Sequence, residues 1–243
     1  MPRWENPAPG KADSAALLCR VLEILRRLYG RRPRPGRRNP VGVLVATILS
    51  QNTNDANSSA GYGNLTRELA TWDAVADAPT GQIVRLIRVA GLAKTKSVRI
   101  QAILREIRCR RGQIELDFLA EMDNDEAYQT LTAFKGVGPK TALCTLMLAL
   151  ERRVFPVDTH IFRIARRLGV LDEKVSFARA HEVLEPLVRP DDRYAMHMLL
   201  IAHGRAVCKA ARPQCDRCRI LQLCPHGQRT MAGVFKEGEG DAG

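Results

Sequence analysis

The sequence predicts an all-α protein, and two observations support that prediction. Apolar residues recur with helical spacing in nearly every segment between the two chain ends. Glycines and prolines divide these segments into short helices joined by tight turns. One stretch, VGVLVATILS over residues 41–50, is rich in β-branched residues and on its own would indicate a strand. Because no other segment offers it a partner strand, we expect residues 41–50 to be helical too.

The elements follow in order along the chain, about ten helices in all. The first runs from Ser14, a good N-cap residue, to Tyr29, and Gly30 ends it. The next segment, RRPRPGRRNP, carries five arginines and three prolines, so we expect a loop that is either a linker or faces phosphate. Later helices are predicted over residues 80–90, 96–108, 125–134, 139–150, 160–168, 176–188 and 193–207. Residues 1–13 and 227–243 are predicted to be disordered.

Charge and composition narrow the class of partner. The chain has 243 residues and a net charge of +12, and compact proteins this basic usually contact polyphosphate. An aromatic content of 5% argues against a surface that stacks single-stranded bases. No stretch approaches the roughly 18–20 apolar residues of a membrane span, and the first residues lack the apolar core of a signal peptide. We therefore expect a cytoplasmic protein that does not bind membranes.

Four cysteines near the C-terminus have the spacing C-x6-C-x2-C-x5-C. They are Cys208, Cys215, Cys218 and Cys224. Thiolates this close together, separated by prolines and arginines, are typical of metal ligands rather than of a core. A chain without an export signal is also a poor setting for disulfides. Spacing alone leaves zinc and an iron–sulfur cluster equally open.

The segment FKGVGPKTA predicts a hairpin between two helices. Gly136 and Gly138 allow a tight turn, and Pro139 suits the first position of the following helix. Amides at a helix N-terminus bind phosphate well, although a plain turn is the alternative. Lys140 lies in the first turn, where the helix macrodipole disfavours the ammonium and so favours a neutral, nucleophilic amine. Schiff-base formation with a sugar aldehyde and a simple phosphate contact both remain open.

A second segment, FPVDTHIFR, places Asp158 directly before a helix with an apolar face. The ordinary interpretation of such a residue is an N-cap. The functional interpretation is a carboxylate that its own helix fixes against developing positive charge, as arises when a glycosidic bond breaks. Arg163 on the same helix suits either a solvated face or a DNA-facing stripe.

In this order, GVGPKTA, VDTHIFR and the four cysteines resemble the endonuclease III family, helix-hairpin-helix DNA glycosylases with a [4Fe–4S] cluster. The resemblance covers about residues 14–226. It implies the helix-hairpin-helix DNA glycosylase fold, with a six-helix barrel domain over residues 33–152. It also implies an iron–sulfur cluster domain built from residues 1–32 and 153–243, with the active site in the cleft between the domains.

The resemblance implies a role for each motif. Lys140 matches the family's nucleophilic lysine and Asp158 its catalytic aspartate. The phosphate-binding hairpin corresponds to Gly136, Val137 and Gly138, and the cluster ligands to Cys208, Cys215, Cys218 and Cys224. Basic residues expected to contact DNA phosphates are Lys135, Arg163, Lys209 and Arg212. A lysine at position 140 favours a bifunctional enzyme, because relatives that excise mismatched adenine or thymine generally carry another residue there.

Two departures from the family pattern affect expected DNA contacts. Where the family usually has a glutamine that fills the gap left by a flipped base, this chain has Asn52, with Gln51 one residue earlier. Either side chain suits that role. Leu92 stands where the family has an intercalating wedge, and a core leucine is the alternative. The hairpin reads FKGVGPK where the family commonly has LPGVGRK, so Lys135 adds a charge and Pro139 replaces a basic residue.

The resemblance therefore implies a monomeric base excision repair enzyme, associated with the nucleoid, that acts on double-stranded DNA containing damaged bases or abasic sites. It would remove oxidised pyrimidines and cleave the strand by β-elimination through a lysine Schiff base. Two alternatives stay open. One is a monofunctional or narrow-specificity mismatch glycosylase, and the other is a non-catalytic DNA-binding protein of the same fold.

Overall fold

The computed structural model describes residues 10–238, with side chains over residues 10–233. Twelve α-helices and seven short 3₁₀ helices lie in this part of the chain, which contains no strand. The predicted all-α fold is confirmed. None of the described helices is both long and apolar enough to cross a membrane.

The α-helices are numbered in chain order. They are α1 Lys11–Tyr29, α2 Pro40–Leu49, α3 Asp55–Glu68, α4 Trp72–Asp77, α5 Thr80–Leu86, α6 Ala93–Arg111, α7 Asn124–Thr132, α8 Pro139–Ala149, α9 Thr159–Arg167, α10 Ala180–Leu184, α11 Arg193–Ala206 and α12 Pro225–Gly238. The 3₁₀ helices are Arg88–Ala90, Asp117–Ala120, Phe177–Arg179, Glu185–Leu187, Pro190–Asp192, Cys215–Arg217 and Leu221–Leu223.

The chain divides into two compact units. The first combines the residues up to Arg34 with those from Arg153 onward, so both chain ends contribute to it. The second is continuous and spans Pro35–Arg152. The first unit contains α1 and α9 to α12, and the second contains α2 to α8.

The β-branched stretch at residues 41–50 lies in α2, as expected. Pro40 suits the first helical position because its missing N–H would be unpaired there. The Asn39 side chain caps the helix by accepting a hydrogen bond from the Gly42 amide at 2.8 Å. Nine of the ten residues of α2 are buried, and α8 packs against them. A helix enclosed by protein has no polar face, which is why its sequence lacks helical periodicity.

The sequence pattern misses α3 and α4. Helix α3 is polar, and only Ser58, Gly61 and Leu65 are buried in it, so it has no regular apolar stripe. Asn54 caps it by accepting from the Asn57 amide at 2.8 Å. A Cβ added to Gly61 would lie 3.1 Å from the Cβ of Ala90, so glycine permits the close approach of the 3₁₀ helix that follows α5.

Proline breaks one predicted helix. Residues 176–188 form a 3₁₀ helix, the five-residue α10 and a second 3₁₀ helix instead of one continuous helix. Pro186 lies within this stretch and cannot donate a backbone hydrogen bond, which ends the α-helical ladder.

The predicted disorder at the two chain ends is wrong where the structure describes them. Helix α1 begins at Lys11 with Gly10 as its N-cap, so Ser14 lies inside the helix and is buried. At the other end, α12 continues to Gly238 despite its glycines. The buried Gly227 donates its amide to Cys224 Sγ at 3.3 Å, and α12 packs on the 3₁₀ helices of the cysteine segment. This packing offsets poor helix propensity. Residues 1–9 and 239–243 lie outside the described part.

The first unit has an apolar core to which α1, α9 and α11 contribute. Its residues include Leu18, Leu22, Leu25, Ile161, Ile164, Leu168, Met196, Leu199 and Leu200. Three of the four motif cysteines, Cys208, Cys218 and Cys224, are partly buried against the same core. The core therefore holds the cysteine segment, residues 208–224, and the helix that follows Asp158.

Candidate active site

The segment between α7 and α8 forms the predicted hairpin. Gly136 has a φ of 92°, in the left-handed region that favours glycine. Val137 is buried, and its amide donates to the Phe134 carbonyl at 3.0 Å, so it anchors the turn. Gly136 and Gly138 are exposed on either side of it. Gly138 is the N-cap of α8 and supplies no side-chain cap, which leaves the first amides of this helix for an anion.

Lys140 is the second residue of α8 and is half-buried. It follows the exposed glycines directly, and the residues after it, from Thr141 to Met147, are buried. The helix therefore holds the lysine backbone rigidly at the end that favours anions. Lys135, before the first glycine, is exposed.

Gln51 connects the loop after α2 to the first turn of α8. Its Nε2 donates to Thr141 Oγ1 at 3.2 Å, and its Oε1 accepts from Arg99 Nη1 at 2.9 Å. Arg99 also lies against the hairpin, because a Cβ added to Gly136 would be 2.6 Å from Arg99 Nε. Both ends of the Gln51 amide are thus engaged inside the protein. Of the two candidates for the gap-filling role, Asn52 is the exposed one.

Asn52 and Leu92 share an unusual backbone conformation. Their φ angles are 53° and 49°, in the left-handed region. Such a conformation costs a non-glycine residue about 1–2 kcal/mol, although Asn tolerates it better than Leu. Leu92 is 57% exposed, so the alternative of a core leucine is wrong. Strained residues of this kind concentrate at functional sites.

Asp158 is the N-cap of α9, and its surroundings fix it closely. Oδ1 accepts a hydrogen bond from the Ile161 amide at 2.8 Å. The segment before Asp158 is also held, since the Phe155 amide donates to Glu185 Oε2 at 2.9 Å and His197 Nδ1 lies 2.9 Å from the Pro156 carbonyl. The cap uses one carboxylate oxygen of a half-buried residue. The N-cap and catalytic interpretations are therefore compatible.

Most of the Arg163 guanidinium is engaged within the protein, and its contact with DNA stays a prediction. Its Nε and Nη2 donate to the Cys208 carbonyl at 3.0 and 2.7 Å, and Nη2 also donates to the Gly204 carbonyl at 3.1 Å. The same nitrogen lies 3.0 Å from His160 Nδ1. Burial lowers the pKa of His160, which favours the neutral ring that can accept this hydrogen bond. Arg163 thus joins α9 to the cysteine segment.

The four cysteines line a single cavity. Apolar residues of the core, among them Ile164, Leu168 and Ile220, complete its wall. Arg167 Nη1 donates to Cys208 Sγ at 3.1 Å, and the Arg167 carbonyl lies 3.4 Å from Cys224 Sγ. Within the described residues, the four free cysteines are not arranged as the ligands of a single metal ion. The exposed Lys209 and Arg212 lie on the chain between the first two cysteines.

The chemistry of these thiols fits a metal centre. Burial raises the pKa of Cys215 and Cys224, and it raises the pKa of Cys218 to about 11. Neighbouring cysteines add to each shift, because thiolates repel one another. Thiolates at these positions would be stable only beside a compensating cation, and a metal centre is one such cation. The N–H donors that reach Cys208 and Cys224 are of the kind that stabilise metal-bound sulfur.

Several supporting residues were not identified from the sequence. Arg99, Glu185 and His197 lie outside the motifs, and Thr141 lies in GVGPKTA without a role that the motif indicates. The roles of all four depend on contacts between distant segments. The sequence does contain a signal for one further buried residue. Lys96 falls on the apolar stripe of α6, and a lysine at a core-facing position usually has a specific partner.

Three comparisons relate the chain to known proteins. A model of the HhH-GPD superfamily base excision DNA repair proteins matches residues 45–190. Endonuclease III from Sulfolobus acidocaldarius is 35% identical over 191 residues, which are 78% of this chain and 83% of that protein. A solved non-covalent endonuclease III–DNA complex aligns with a TM-score of 0.77 at 27% identity, covering 90% of this chain and 98% of the other. A trapped endonuclease III–DNA covalent intermediate aligns with a TM-score of 0.76 at 27% identity, covering 92% and 99%.

Proposed function

Because the chain belongs to the HhH-GPD superfamily of base excision DNA repair proteins, and within it to the endonuclease III family, we propose that it is a bifunctional DNA glycosylase and AP lyase. Family membership supports a DNA glycosylase. The proposal adds two points. The reaction passes through a lysine Schiff base, and the substrates are oxidised pyrimidines in duplex DNA. One observation carries it: Lys140 lies in the first turn of α8, directly after a hairpin with exposed glycines.

The first step breaks the glycosidic bond. The neutral Lys140 Nζ, whose ammonium proton has passed to solvent, attacks C1′ of the damaged nucleotide. The C1′–N bond breaks, and the base departs with its electron pair and takes up a proton from water. The Asp158 carboxylate stabilises the positive charge that develops on the sugar. The α9 cap already fixes this carboxylate, so no further side-chain entropy is lost in ordering it during the reaction.

The second step breaks the strand. Opening of the sugar ring leaves Lys140 joined to C1′ as a protonated Schiff base, which acidifies the protons on C2′. Loss of one of these protons expels the 3′ phosphate from C3′, so the strand is cut 3′ to the lesion by β-elimination. Water then hydrolyses the Schiff base and regenerates the lysine. The trapped endonuclease III–DNA covalent intermediate among the similar structures supports a covalent route of this kind.

Duplex DNA is the proposed partner. The net charge of +12, the anion-binding start of α8 and the exposed Lys135, Lys209 and Arg212 all suit phosphate contacts. The solved complex of endonuclease III with DNA supports the same partner. Binding that depends on phosphate contacts weakens steeply as salt rises. Asn52 is proposed to fill the gap left by a flipped base, and Leu92 to wedge the neighbouring bases apart.

A [4Fe–4S] cluster is the proposed cofactor, held by Cys208, Cys215, Cys218 and Cys224. The cysteine spacing, the shared cavity and the N–H donors to sulfur support it. When bound, the cluster supplies positive charge that holds four thiolates together and so orders the segment that carries Lys209 and Arg212.

Borohydride trapping tests the proposal. The enzyme is mixed with duplexes carrying thymine glycol, 5-hydroxycytosine or an abasic site, and wild type is compared with Lys140→Gln. Wild type is expected to form a covalent complex, and Lys140→Gln is expected to bind DNA without forming one. Base release that leaves an intact abasic site would instead indicate a monofunctional glycosylase. Binding without base release or trapping on any duplex would reject catalysis on these substrates.

A further inference from the structure

Lys96 is a buried lysine that the proposed reaction does not use. It lies in the first turn of α6 and is only 2% exposed. Its Nζ donates to the Leu49 carbonyl at 2.7 Å and to the Ala90 carbonyl at 2.8 Å. A buried ammonium is costly unless such partners satisfy it. An apolar residue at position 96 could not donate to these two carbonyls, so the lysine has a specific role.

The two carbonyls share a structural position. Leu49 is the last residue of α2, and Ala90 is the last residue of the 3₁₀ helix after α5. Carbonyls at helix C-termini have no partner within their own helix, and a cation there also suits the negative end of the macrodipole. Lys96 thus caps two helix ends with one charge and fixes the distance between them.

The chain continues from each capped end into an exposed, left-handed residue. Asn52 follows Leu49 by three residues and has a φ of 53°. Leu92 follows Ala90 by two residues and has a φ of 49°. These are the two residues proposed to enter the duplex. Only one other described non-glycine residue, Glu151, has a positive φ, so the strain is concentrated in the segments that leave the Lys96 caps.

We propose that Lys96 is a positioning residue that holds the Asn52 and Leu92 segments in register, so that both side chains enter the DNA together. This inference rests on the proposed function. With an apolar residue at position 96, two buried carbonyls would lose their donor, and each segment would relax separately. Insertion of one side chain would then no longer be coupled to insertion of the other.

Gln101 provides a matched control for a purely structural role. It lies on α6 five residues after Lys96 and is also 2% exposed. Its Nε2 donates to three carbonyls at the end of α4, those of Val75, Ala76 and Ala78. Replacing Gln101 with Met therefore removes a buried cap from another helix end, away from the strained residues.

The test uses the full chain and a duplex with a tetrahydrofuran abasic-site analogue opposite 2-aminopurine. The analogue cannot form a Schiff base, so the fluorescence of 2-aminopurine reports unstacking without strand cleavage. Wild type and Gln101→Met are expected to give the full fluorescence rise at saturating protein. Lys96→Met is expected to give less than about a third of it, with a similar loss of thermal stability to Gln101→Met, because only its substitution uncouples insertion.

A full fluorescence rise with Lys96→Met would overturn the inference, and so would an equal loss with Gln101→Met. If Lys96→Met does not fold, Lys96→Gln replaces it. That variant keeps an amide donor with a shorter reach, so a partial loss is expected and a full rise would again overturn the inference. Binding of wild type without any rise would mean that the protein does not unstack this duplex. The insertion step of the proposed function would then fail first, and trapping on the abasic duplex would show whether the lyase step survives.

Discussion

Gln51 Nε2 donates a hydrogen bond to Thr141 Oγ1 over 3.2 Å, which joins the loop after α2 to the helix turn that carries Lys140. The same side chain accepts a hydrogen bond from Arg99, and Arg99 packs against Gly136 of the hairpin. The loop is therefore hydrogen-bonded to the start of α8, and the hairpin packs against the same network. A change in the loop as it meets DNA would be transmitted to the residue next to Lys140.

This link predicts different roles for neighbouring residues. Gln51→Ala is expected to slow borohydride trapping on an abasic-site duplex by about 10-fold, because small displacements of a nucleophile reduce rates strongly. Asn52→Ala is expected to reduce unstacking of 2-aminopurine and to affect trapping on the abasic site less. Single-turnover trapping and fluorescence are measured on both variants. Identical profiles for the two would reject a separate role for Gln51.

Asp158 offers a way to separate folding from catalysis. Asn is as good an N-cap as Asp, so Asp158→Asn is expected to keep thermal stability, whereas Asp158→Ala loses about 1 kcal/mol. Both variants are expected to slow base release by about 100-fold or more, because each removes the charge that stabilises the sugar cation. Thermal melts and single-turnover excision distinguish the effects. Unchanged excision by Asp158→Asn would show that the carboxylate serves only as a cap.

The two glycines of the hairpin are predicted to respond differently to alanine. At Gly136 a Cβ would lie 2.6 Å from Arg99 Nε and the φ of 92° is unfavourable, so Gly136→Ala is expected to cost about 1–3 kcal/mol and weaken DNA binding. At Gly138 the φ is −94° and no atom lies within 4 Å of the added Cβ. Gly138→Ala is therefore the control for folding. Melting curves and duplex affinity of the pair check this, and equal stability would contradict the contact with Arg99.

Arg167 is predicted to stabilise the proposed metal centre. Arg167→Met removes the donor to Cys208 Sγ, and losses of such outer contacts commonly weaken metal binding by about 10–100-fold. The expected result is faster loss of visible absorbance from the loaded protein during treatment with a chelator. Arg166→Met is the control, because Arg166 bonds the Glu173 and Val175 carbonyls instead. Equal rates of absorbance loss in the two variants would count against the role of Arg167.

The sequence predicted those features that depend on local pattern. The all-α fold, the hairpin before Pro139 and the helix after Asp158 all rest on caps, turns and periodicity within a few residues. It failed where side chains meet across the chain. Arg163 carries charge that suits DNA, yet its guanidinium donates to the Cys208 carbonyl 45 residues away. Helix α3 was missed because its stability depends on contacts with the Arg88–Ala90 turn rather than on an apolar stripe.

Helix α9 links Asp158 to the cysteine segment. It is nine residues long, about 13 Å, and it begins at Asp158. Farther along, its Arg163 and Arg167 side chains bind the Cys208 carbonyl and sulfur. If the proposed cluster is absent, the cysteine segment that these side chains bind loses an anchor, and the helix that carries the proposed catalytic carboxylate is expected to loosen. Protein that has not acquired the proposed cluster, or has lost it by oxidation, is therefore expected to lose DNA cleavage activity.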